Sequence, residues 1–105
     1  MAQRVFFLNT LHEGVKGEDY EQWLRDVDYP FARALPTIIR YETTRIDGNL
    51  FGSEGEPPCQ YLEVIDITNI EDYEKGAAGP EFEAFLKEWS AYVADSTMVW
   101  GEVIE

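Results

Sequence analysis

Four sets of alternate residues carry most of the chemically useful side chains: Phe7 with Asn9, Arg40 with Glu42, Tyr61 with Glu63, and Met98 with Trp100 and Glu102. A spacing of two puts each set on one face of a β-strand, so together they describe a surface mixing aromatic bulk with polar heads. Glu63 is the candidate general acid or base, because burial on a central strand raises a carboxyl pKa toward neutrality. Arg40 is the candidate to orient Glu63 or a substrate carbonyl. His12 is the single histidine, the one side-chain type whose unperturbed pKa lies near neutrality, which suits proton transfer. Phe7, Asn9, Glu42, Tyr61 and Trp100 would contact a substrate, and Trp23 and Trp89 would wall a planar heteroaromatic ligand from inward helix faces. Each has a plainer reading: Arg40 and Glu63 as a buried ion pair, His12 as an exposed loop residue, the tryptophans as core filling.

Several chemistries lack their residues. One histidine and one cysteine, Cys59, cannot build the usual nitrogen and sulfur zinc site, and no spaced Asp-rich calcium loop occurs, so no metal is expected. Gly48, Gly52 and Gly55 fall between two strands rather than between a strand and a helix, so they are no nucleotide fingerprint and no cofactor is expected. Cys59 alone cannot form an intrachain disulfide and reads as a small buried hydrophobe. The net charge of −13 with only eight Lys and Arg disfavours nucleic acid and anionic membrane, since each phosphate contact needs a cation. Val5 to Leu8 is too short for a signal-peptide core or a membrane span, which gives a cytoplasmic expectation.

These residues need elements to position them, and 105 residues with 45% hydrophobic and 14% aromatic content suffice for one folded domain, taken as 1–105. Residues 4–10 read as a strand, and 11–16 as a loop containing Gly14. From Asp19 the apolar positions Tyr20, Trp23, Leu24, Val27 and Phe31 recur at helical intervals until Pro30, which is expected to bend or end the helix. Residues 37–46 and 60–67 read as strands joined by a long tip with Asp47-Gly48 and Pro57-Pro58. Thr68 with Glu71 reads as a capping box opening a helix, and Gly76, Gly79 and Pro80 separate it from a second one carrying Phe82, Phe85, Leu86, Trp89 and Val93. Residues 97–104 close the chain as a strand. The order βαββαβ implies an α+β, ferredoxin-like antiparallel sheet in the order 4-1-3-2 with helices on one face. Its other face then carries Phe6, Leu8, Ile39, Tyr41, Leu62, Val64, Val99 and Val103, and a second copy is the simplest cover; the opposite assignment of the two faces stays open.

The opening Arg4-Val5-Phe6-Phe7-Leu8-Asn9, the stretch Tyr29-Pro30-Phe31-Ala32-Arg33 running into Pro36 and Arg40-Tyr41-Glu42, and Gly79-Pro80-Glu81-Phe82 resemble the dimeric α/β-barrel superfamily, and more closely its small RedY-like, HapK family. The resemblance implies a homodimer with a pocket between sheet and helices. It also implies a role in secondary metabolism of prodigiosin-type pigments around a pyrrole or indole intermediate. It carries no catalytic motif. Two functions stay open: a cofactor-independent enzyme steering proton transfer, cyclisation, hydration or condensation, or a non-catalytic carrier assisting a condensing enzyme of the pathway.

Overall fold

The computed structural model describes residues 2–105. β1 (Gln3–Leu11), β2 (Ile38–Arg45), β3 (Tyr61–Ile67) and β4 (Val93–Glu102) form one antiparallel sheet in the order β2-β3-β1-β4. This is the expected 4-1-3-2 order read from the other edge. α1 (Gly17–Trp23), α2 (Tyr29–Arg33), α3 (Ile70–Gly76) and α4 (Pro80–Tyr92) lie on one face. None of these helices is long and apolar enough to cross a membrane.

Four local features depart from the expected elements. The helix does not end at Pro30: between α1 and α2 the backbone stays helical through a π turn, Leu24–Asp28, closed by the Tyr29 N–H on the Leu24 carbonyl. Proline supplies no N–H to the Asp26 carbonyl and its ring crowds that position, and a widened turn relieves both. α3 is capped by Asn69, whose Oδ1 accepts from the Asp72 N–H at 2.8 Å, so the cap lies one residue beyond Thr68. β4 starts four residues earlier than position 97 and follows α4 with no linker, because Asp95 and Ser96 pair with Thr10 and Asn9 of the long β1.

The fourth departure decides the site. Ile38 pairs with Ile67 and Arg40 with Asp66, so Ile39 is an extra residue on the edge strand β2, a β-bulge. Ile38 and, past the bulge, Tyr41 and Thr43 face the helices, whereas Arg40 and Glu42 face away from them. The assignment of Arg40 and Glu42 to the helix side, and of Tyr41 to the open side, is therefore reversed; Ile39 is 70% exposed and Tyr41 only 2%. On β1, β3 and, from Asp95 onward, β4 the expected alternation holds.

Two apolar clusters make the core. One joins Leu11, Tyr20, Trp23, Leu24, Tyr61 and Val93; the other joins Val5, Ala32, Tyr41, Ile65 and Ile67. Along β1 and β3 the residues separating them on the helix side are Asn9 and Glu63, which with Asp28 are the buried polar side chains. Cys59 is buried as expected, and that burial pushes its thiol pKa up.

Candidate functional site

Glu63 is the centre of a buried hydrogen-bonded group. Asn9 Nδ2 donates to its Oε2, and Tyr41 Oη lies 2.9 Å from its Oε1. Asn9 is held in turn by Ser96 of β4, whose hydroxyl donates to Asn9 Oδ1 at 2.6 Å. Tyr41 Oη also donates to Asp28 Oδ2, and Thr43 Oγ1 donates to Tyr41 Oη at 3.2 Å. Tyr29 packs edge-on against Tyr41, with ring centroids 5.3 Å apart, and so fixes the phenol that links the two carboxyls.

The π turn is what aims Asp28. Tyr20, Leu24, Asp28 and Ala32 are all buried and follow one another at intervals of four. A regular 3.6-residue helix drifts about 40° over each such step and would carry the last of them off the sheet. One wider turn offsets that drift and keeps Asp28 on the buried stripe.

Burial dominates the electrostatics. Glu63 has its pKa pushed up to about 7, first by burial and then by the Asp28 charge, against the hydrogen bonds from Asn9, Tyr41 and Trp89. Asp28 is pushed up to about 6 by burial, opposed by the Tyr41 hydrogen bond and the Arg33 charge. Tyr41 is pushed well above the ordinary phenol range by burial and by both carboxylates. A carboxyl near pH 7 is placed to act as either acid or base.

Asp28, Tyr41 and Glu63 reach a small cavity of about 40 Å³, walled by Phe7, Phe31 and Trp89, which has room for water but not for a heterocycle. Beside it, sharing Phe7, Tyr73, Phe82 and Leu86, runs an open apolar groove of about 380 Å³ between α3, α4 and β4, bordered by Met98 and Trp100. Its size falls in the range of small-molecule sites.

Of the residues singled out by sequence, the structure brings Phe7, Asn9, Glu63 and Trp89 together, with Trp100 at the groove, 52% exposed. It does not bring Arg40 to Glu63. Arg40 and Glu42 pair with each other at 2.8 Å on the open face, both well exposed, because the bulge turns them outward. Tyr61 is buried but on the far side of the polar layer, donating to Glu21 Oε2 at 2.7 Å. Trp23 stacks on Phe85 at 5.5 Å and Tyr20 at 6.2 Å, inside the core rather than at the cavity. His12 is exposed, with Nε2 2.8 Å from the Ser90 carbonyl at the end of α4. Sequence reasoning missed Asp28 and Tyr41. The strict four-residue spacing that places an aspartate on an apolar stripe just before Tyr-Pro was the available signal for the first; nothing in the sequence marks the bulge that turns in the second. Among the described residues no group of three or more His, Cys, Asp or Glu stands as metal ligands would.

The family model for REDY-like protein HapK matches residues 3–104. Solved structures share the fold. The crystal structure of HapK from Hahella chejuensis aligns with a TM-score of 0.78 at 21% identity, covering 97% of this chain and 92% of that one. A dimeric ferredoxin-like protein of unknown function from Thermobifida fusca aligns at 0.71 and 19%, covering 98% and 92%. SnoaB, a cofactor-independent oxygenase from Streptomyces nogalater, aligns at 0.70 and 16%, covering 99% and 94%. A search of the curated proteins returns no match.

Proposed function

This chain belongs to the REDY-like HapK family, and from that membership and the buried carboxyl group we propose that it binds a planar pyrrole or indole intermediate of secondary metabolism in the groove beside Trp100 and transfers protons to or from it through Glu63, with Asp28 and Tyr41. The observation that carries this reading is a carboxyl buried where a small, mostly apolar cavity meets an apolar groove, with its pKa pushed up to about 7 by that burial. The groove takes the flat body of the ligand and the cavity its reacting edge, since aromatic walls reward planar area and the few polar groups fix orientation. The net charge of −13 favours a neutral or cationic ligand over an anionic one. Chemistry without a cofactor has a precedent on this fold in the oxygenase from Streptomyces nogalater.

The test uses indole- and pyrrole-carbaldehydes as probes. Quenching of tryptophan fluorescence reports binding, and exchange of ring hydrogens for deuterium, followed by NMR, reports proton transfer. The wild type is expected to bind and to accelerate exchange, and Glu63→Gln to bind within a few-fold while exchange falls ~100-fold. Binding without acceleration makes the protein a carrier rather than a catalyst. No binding of either probe at millimolar concentration removes the groove as the site.

A further inference from the structure

Tyr41 Oη is in hydrogen-bond contact with one oxygen of each buried carboxyl, Asp28 Oδ2 and Glu63 Oε1. A neutral phenol carries one hydrogen, so it donates to one of them only. At the other contact two oxygen lone pairs would face each other away from water, unless that carboxyl carries a proton and donates back to the phenol oxygen. The remaining neighbours do not relieve this. Asn9 serves Glu63 through its other oxygen, and the Thr43 hydroxyl contacts the phenol oxygen rather than either carboxyl.

We propose that Asp28 and Glu63 hold a single proton in common at neutral pH, with one carboxyl neutral and one ionised, and that Tyr41 relays it between them. The groups facing this set are Asn9 from β1, Tyr20 from α1, Arg33 from α2, Thr43 from β2, Tyr73 from α3 and Trp89 from α4. Arg33 is the one cation among them, and it favours ionisation of Asp28, leaving the proton on Glu63.

The inference rests on the same group as the proposed acid–base site and narrows the reaction class to isomerisation of a tautomerisable ring system. The ionised carboxylate takes a hydrogen from one ring position, breaking its bond to carbon or nitrogen and forming O–H. The neutral carboxyl gives its proton to a second position of the same molecule. Tyr41 then donates to the carboxylate just formed and accepts from the carboxyl just made, which restores the starting state. The substrate leaves as its tautomer, and the site holds as many protons as before.

Infrared titration tests the shared proton without any ligand, so its result is independent of whether the carbaldehydes bind. At about pH 6.5 ordinary carboxyls are ionised, and the wild type is expected to show a protonated-carboxyl band equivalent to one group per chain. Tyr41 favours ionisation of whichever carboxyl receives its one hydrogen, so Tyr41→Phe removes the donor that keeps that group ionised and is expected to double that band. Asp28→Asn removes the charge that raises Glu63 and is expected to shift the loss of the band to lower pH. A wild type with no such band or with two groups protonated, or a folded Tyr41→Phe variant that titrates like its parent, overturns the proposal.

Discussion

Burying Glu63 and Asp28 costs the native state stability at every pH where the unfolded chain would ionise them. Folding raises Glu63 from 4.5 to about 7 and Asp28 from 3.8 to about 6, so between those limits the native state binds more protons than the unfolded one. Their contribution is therefore most favourable below about pH 4 and is lost as pH rises to 7. The Glu63 share is on the order of 3 kcal/mol. Glu63→Gln removes that share, so the difference in unfolding free energy between variant and wild type should shift in favour of the variant from about pH 4.5 to 7, by denaturant titration at each pH; a difference independent of pH means Glu63 is not desolvated. Glu63 and Asn9 were legible because β1 and β3 alternate without interruption, so that parity alone put both on the helix side. Arg40 was misplaced by that same rule, applied across a strand that breaks it.

At the scale of elements, both surprises in the site come from one added residue. The bulge at Ile39 on β2 and the π turn before Pro30 each change which side chains point inward, and each brings in a partner of Glu63 that regular geometry would turn away. The bulge leaves no pattern in the sequence, because Ile39 is as good a strand former as its neighbours. The pairing of β2 with β3 gives a direct test. Removing Ile39 leaves Ile38 opposite Ile67, Arg40 opposite Asp66 and Tyr41 opposite Ile65, now in regular succession. Deleting Ile39 should therefore preserve the Tyr41–Glu63 contact and cost less than about 2 kcal/mol, whereas deleting Glu42, also exposed, reverses the strand beyond it and should cost more than about 4 kcal/mol. Thermal melting of the two variants compares them, and equal losses would show that the bulge does not set the inward face.

At the scale of the molecule, the sheet face without helices carries Phe6, Leu8, Leu62 and Val64, all half-buried at best, with Val99 50% exposed. Such a stripe is more than a soluble monomer ordinarily leaves open, and a second copy applied face to face covers it symmetrically. Light scattering at micromolar concentration should give twice the chain mass of 12.1 kDa, and Leu62→Asp should reduce it to the single-chain value; a monomeric wild type removes the proposed dimer. The junction of α4 with β4 sets a different kind of limit. Tyr92 ends the helix, the buried Val93 begins the strand, and His12 binds the last turn through its backbone N–H on the Tyr92 carbonyl at 2.9 Å and its ring on Ser90. At its other end α4 follows Gly79, which holds a φ of 102° outside any helix. The helix is thus anchored at His12 and Val93, and at its other end Phe82 rests on Phe31, with ring centroids 6.0 Å apart. A guest too large for the groove would therefore have to part Phe82 from Phe31, at the end of α4 away from His12 and Val93.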